Sequence, residues 1–99
     1  MVRAANLHEI VRETLRALDA ELPGRFVTVE HRGDGEGEWD LDVVLPAIEV
    51  FVRAGLAATP AGQALWIRSD GRDSQDLRIE LAPPGAESPQ VLALARSPA

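Results

Sequence analysis

The chain has 99 residues, one domain's length, and a net charge of −6; all ten of its basic residues are Arg. That acidic balance speaks against binding a nucleic-acid backbone, and the missing Lys removes P-loop and Schiff-base chemistry. There is no cysteine, which excludes disulfides, thiolate catalysis and Cys-ligated zinc.

With 45% apolar and 26% charged residues the composition is that of a globular protein. No apolar run approaches the ~20 residues that cross a bilayer, and no signal-type stretch follows Met1. A soluble, cytoplasmic protein with no membrane partner is expected, folded as a single domain over residues 1–99.

From Asn6 to Leu22, Leu7, Ile10, Val11, Leu15, Leu18 and Leu22 recur at helical spacing and predict a first helix. Asn6 and Glu9 have the spacing of a capping box, and Pro23-Gly24 ends the helix. The alternating, β-rich stretch Phe26–His31 predicts a strand. Gly33-Asp34-Gly35-Glu36-Gly37 predicts a flexible turn, and Glu38-Trp39-Asp40 a short paired strand. Asp40 is placed to cap a second helix reaching Ala58, with an apolar stripe of Val44, Leu45, Ile48, Phe51, Val52 and Leu56. Pro46 leaves two options: a kinked helix from Leu41, or a helix starting near Leu45 with Pro46 as its first residue.

Thr59-Pro60-Ala61-Gly62 breaks that helix. Two strands follow, Ala64–Ser69 and Asp76–Ala82, with Leu65, Ile67, Leu77, Ile79 and Leu81 on one face and Trp66, Arg68, Arg78 and Glu80 on the other. This predicts an antiparallel hairpin with one face on the core. Pro83-Pro84-Gly85 stops the second strand, and Ser88-Pro89 caps a final short helix over Gln90–Arg96. The fold class expected is α+β: a two-layer sandwich with helices on one face of a mainly antiparallel sheet. Its Asp76–Ala82 edge is left open to a partner strand or a second copy, or covered by residues 83–99 despite Pro83, Pro84 and Pro89.

The order of elements, and three motifs along it, resemble the front half of the ATPase domain of sensor histidine kinases, in the GHKL superfamily. Asn6-Leu7-His8-Glu9-Ile10-Val11-Arg12-Glu13 is similar to the opening that follows the dimerisation helices of those kinases. Glu38-Trp39-Asp40 resembles the segment before their second helix, and Leu56–Gly62 resembles that helix's Thr-Pro-x-Gly ending. Together these span most of residues 5–85.

The resemblance also implies what has been lost. Aligned on Thr59-Pro60-x-Gly62, the family's Asn-x-x-x-Asn pair, which helps hold Mg²⁺ and triphosphate, falls on Val50 and Ala54. Neither side chain ligates a metal. Glu49 lies one residue away, but the register that uses it puts Arg53 at the Asn position. The acid that accepts from adenine's amino group falls on Pro83, which has no side-chain acceptor. The ATP-lid sequence is absent, and Ser88–Arg96 matches a family helix without its glycines. The resemblance therefore implies a chain that is not an enzyme and takes no cofactor. It would be an ATP-binding-deficient domain whose partner is a histidine kinase, a response regulator or a second copy of itself. The alternative is a divergent ATP-binding or phosphotransfer component that needs a partner chain.

Other residues offer less. His8 and His31 are too few and too far apart in sequence for a metal site, and read as surface or partly buried histidines. Gly33-x-Gly35-x-Gly37 carries acidic Asp34 and Glu36, which repel phosphate. Asp70, Asp73 and Asp76 miss the spacing of a calcium loop and read as a solvated hairpin tip. Ser69, Ser74, Ser88 and Ser97 have no nearby His and no nucleophile elbow. Trp66 with Arg68, Arg78, Glu80 and Phe26 has the aromatic-plus-Arg composition of an interaction surface.

Overall fold

The computed structural model describes residues 1–97. A strand β1 (Val2–Asn6) leads into helix α1 (Leu7–Glu21), followed by strands β2 (Phe26–Gly33) and β3 (Glu36–Asp40), helix α2 (Leu41–Ala58) and strands β4 (Ala64–Gly71), β5 (Asp76–Ala82) and β6 (Gln90–Ala95). Four strands form the main sheet in the order β2-β4-β5-β6, parallel between β2 and β4 and antiparallel elsewhere. A separate antiparallel ribbon joins β1 to β3. The architecture is α+β, with both helices packed on one face of a mainly antiparallel sheet.

The apolar periods explain the layers. Leu7, Val11 and Leu18 of α1 and Val44, Ile48, Val52 and Leu56 of α2 are buried against Leu65, Ile67, Leu77, Ile79, Leu81 and Leu94. Phe51 and Leu15 lie at the margin of this core, while Leu45 is exposed. Asn6 caps α1 by accepting the His8 amide on its Oδ1 at 3.0 Å; Glu9 makes no return bond among the described residues. Asp40 occupies the cap of α2, yet its carboxylate turns to the Met1 amino group instead of a helix amide. Of the two options for Pro46, the helix starts at Leu41 and carries the proline inside. The amide that Pro46 lacks would have bonded the Asp42 carbonyl, and Asp42 is exposed to water.

Two elements differ from expectation. Residues 90–95 form a strand and not a helix: β6 pairs with β5 from Asp76↔Ala95 to Leu81↔Gln90. Leu92 and Leu94 turn inward while Val91, Ala93 and Ala95 turn out, a two-residue period that small Ala side chains hide. Pro83, Pro84 and Pro89 do not block the pairing, because all three lie between the strands, where no ladder bond needs their nitrogen. The β5 edge is therefore covered, and the edges of the sheet are β2 and β6. In addition, Val2–Asn6 forms a strand that the sequence did not announce, and it is the partner of the expected Glu38–Asp40 strand.

The glycine segment between β2 and β3 is held rather than loose. Arg96 donates to the carbonyls of Asp34 (2.7 Å), Glu36 (2.9 Å) and Gly71 (3.1 Å), and its guanidinium lies 5.1 Å from the ring centre of fully buried Trp39. Gly71 is required here, since a Cβ at that position would stand 2.0 Å from the Asp34 carbonyl oxygen.

Candidate functional site

Three surfaces carry the residues singled out by the sequence. The first is a cavity of about 510 Å³ between the C-terminal end of α2 and the segment joining β5 to β6. Gly55, Ala58, Thr59, Leu81, Pro83 and Ser88 are among its lining residues, and no charged side chain is. Pro83 thus sits in the wall. Val50 and Ala54 lie on the exposed side of α2, one turn apart and outside the lining. Beside them Arg53 is engaged by Glu21 and by Glu49, the latter at 2.9 Å, which holds the Glu21 carboxyl below its ordinary range. The only ionic groups close in sequence to Val50 and Ala54 therefore neutralise one another.

The second surface is the face of the sheet away from the helices. Strand alternation places Phe26, Trp66, Arg68, Arg78 and Glu80 together on it. Phe26 is 67% exposed. Arg68 lies 5.1 Å from the Trp66 ring centre and pairs with Glu30 at 3.1 Å and Glu80 at 3.7 Å. Glu30 also takes a bond from Arg32, and this bond, ahead of Arg68, depresses its carboxyl. Arg78 faces Asp70 across the β4–β5 ladder without an ion pair. At the hairpin tip Arg72 grips Asp70 at 2.6 Å and brings its carboxyl down to about 2, while Asp73 accepts the Gln75 amide. No group of three or more His, Asp or Glu side chains is placed to hold a metal among the described residues.

The third feature corrects the sequence reading. His8, His31 and Ser69, set aside as isolated, meet between α1, β2 and β4. Both histidines reach Ser69 Oγ through Nδ1, His8 at 2.5 Å and His31 at 2.6 Å, with ring centres 4.7 Å apart. Their outer partners fix the tautomers. Arg12 Nε always donates, so His31 Nε2 accepts at 2.9 Å and its proton sits on Nδ1. The Gly33 carbonyl only accepts, so His8 Nε2 donates at 3.1 Å and its Nδ1 is bare. Ser69 completes a one-way chain by accepting from His31 and donating to His8. Burial first, then His8 and Arg12, push the His31 pKa below its ordinary value. Ser69 is completely buried, so its hydroxyl is closed to a substrate, and the cluster ties three elements together. Its legible signal was phase: Ser69 continues the Leu65, Ile67 face, and His31 the Val27, Val29 face.

The fold matches those of 28 chains in solved structures. The catalytic domain of the histidine kinase ThkA, in a nucleotide-free form, superposes with a TM-score of 0.71 at 18% identity, covering 88% of this chain and 63% of that one. The mycobacterial sensor histidine kinase MprB gives 0.67 at 15% identity, over 87% of this chain and 58% of that one. ThkA in complex with the response regulator protein TrrA gives 0.65 at 18% identity, over 87% and 27%.

The fold is that of a histidine-kinase catalytic domain. This chain spans about three fifths of the length of the ThkA catalytic domain that it matches. No protein-family model matches it, and comparison with curated proteins finds no relative.

Proposed function

We propose that this chain is a non-catalytic, ATP-binding-deficient domain of histidine-kinase type that works in two-component signalling by binding another protein. The observation that carries the reading is the uncharged cavity beside α2 with Pro83 in its wall, together with Val50 and Ala54, which lie exposed on α2 outside that lining. Holding Mg²⁺ takes carboxylate or amide oxygens, and holding a triphosphate takes cations or ordered donors. None of the three side chains supplies either, and Arg53 is already bonded to two glutamates.

Binding would instead use the open sheet face, where Trp66, Arg68, Arg78, Glu80 and Phe26 lie together. A large aromatic flanked by Arg is the composition on which protein contacts concentrate their energy. The ThkA–TrrA complex makes a response regulator one partner to test; a histidine kinase or a second copy of this chain are the others.

Calorimetric titration of the purified chain with ATP and Mg²⁺, with its mass in solution recorded alongside, tests the reading. No saturable heat is expected up to about 1 mM nucleotide; dissociation constants of about 10 μM would overturn it. Saturable binding would move the assignment to the alternative, a divergent nucleotide-binding or phosphotransfer component.

A further inference from the structure

The groove along β2 has features that the open face lacks. Between α1 and the outer side of β2 lies a cavity of about 440 Å³, floored by Leu15, Leu22, Val27, Val29 and Leu56. Arg12, Arg16 and Arg25 line it, with Asp19 the one acid. None of these three guanidinium groups pairs with a carboxylate among the described residues. Arg12 bonds the His31 ring, and Arg25 bonds the carbonyls of Thr59 and Pro23. Elsewhere in this acidic chain Arg32, Arg53, Arg68 and Arg72 are all neutralised by Asp or Glu. Arg3, Arg78 and Arg96 also lack a carboxylate partner among the described residues, but they stand apart from one another; this groove gathers three such cations along one apolar floor in a chain of net charge −6.

The strand bordering this groove is also open. β2 pairs only with β4. The Phe26 amide donates to Gln63 on the β4 side, so alternation points the backbone groups of Val27, Val29 and His31 away from the sheet. No proline or bulge interrupts this stretch, the usual devices that keep a second chain off an edge. Arg12 stands at the His31 end, and Arg25 directly precedes Phe26 at the other. At about 3.3 Å per residue those ends lie roughly 16 Å apart, the length of five extended residues.

We propose that the β2 edge and its groove receive an extended segment of a protein partner, apolar at its centre and acidic at both ends, as an added strand. The segment's backbone satisfies Val27, Val29 and His31. Its inward side chains cover Leu15, Leu22 and Val29, and its end carboxylates meet Arg12, Arg16 and Arg25. This surface belongs to the helix side of β2 and does not involve Trp66, so it stands or falls independently of nucleotide binding.

A fluorescein-labelled peptide, Asp-Glu-Val-Thr-Ile-Thr-Val-Glu-Asp, is the probe. Anisotropy should saturate with a dissociation constant below about 100 μM in low salt, and weaken at least about fivefold when charges are screened. R16E alters an exposed side chain that makes no hydrogen bond or ion pair among the described residues, so the fold should be kept, and it should weaken binding about five- to tenfold. The amides of Val27, Val29 and His31 should exchange more slowly in the complex. No saturation at about 1 mM, or no effect of R16E, overturns the proposal. Binding without slowed exchange at these amides, or with shifts centred on Trp66, overturns it as well, since the occupant would then be a helix or lie on the open face.

Discussion

Removing the Ser69 hydroxyl isolates what the buried histidine pair contributes. In Ser69→Ala, His31 Nδ1–H loses its acceptor and His8 Nδ1 loses its donor, while Arg12 and the Gly33 carbonyl hold the outer nitrogens as before. A buried polar group left without a partner costs about 1–3 kcal/mol. Both rings are half-buried and water reaches part of each, so the lower end applies to each nitrogen, about 2 kcal/mol in all. For a chain of this length that lowers Tm by about 10 °C. Thermal melts followed by circular dichroism measure it, with exposed Ser74→Ala as the control, expected within about 0.5 kcal/mol of the parent. Nitrogen-15 spectra of the imidazoles should show His8 protonated at Nε2 and His31 at Nδ1 in the parent chain. A Tm change no larger than that of Ser74→Ala, or the same tautomer for both rings, would show that Ser69 does not bridge the two imidazoles.

Other expectations follow from single contacts. Gly71→Ala drives a Cβ into the Asp34 carbonyl, and backbone cannot swing aside as a side chain can; a loss of about 3 kcal/mol is expected in urea melts, and a neutral result would contradict the close approach. Arg96→Ala removes charged bonds to the carbonyls of Asp34, Glu36, Gly71 and, at longer range, Asp73, and the stack over Trp39, which should lower stability by about 2–3 kcal/mol; Arg96→Lys should recover only part, because an ammonium lacks the planar fork. His31 has a depressed pKa in the folded chain, so as pH falls below about 6.5 the unfolded chain takes up a proton that the folded one resists. Stability should decline from pH 7 to pH 5, with a shallower decline in His31→Gln; equal slopes would count against the buried neutral ring. Asp70, with its pKa near about 2, adds a second loss between about pH 4 and pH 2 that Asp70→Asn removes.

Where one period dominated, the sequence was readable. Leu7, Val11 and Leu18 of the α1 stripe and the Leu65, Ile67, Leu77, Ile79, Leu81 face enter the core, and the two-layer α+β arrangement follows from them. β6 was hidden because Val91–Ala95 offers only apolar and small residues, which fit a helix or a strand equally, and Ser88-Pro89 imitates a helix cap. β1 was hidden because Val-Arg-Ala-Ala-Asn has little strand preference of its own; its pairing with β3 supplies the order. Pro83 could be singled out from the motif alone, though not the cavity that it lines. The His8–Ser69–His31 cluster could not, since it joins residues 61 and 38 positions apart whose meeting depends on the packing of three elements.

Val50, Ala54 and Pro83 are proposed to leave no nucleotide site. Thermal melting of the chain with and without Mg·ATP tests this most directly. A ligand at about a hundred times its dissociation constant adds about 2.7 kcal/mol, enough to raise Tm by about 10 °C or more. Tm should be unchanged at about 1 mM Mg·ATP; a rise of that size would show that the fold still holds its nucleotide.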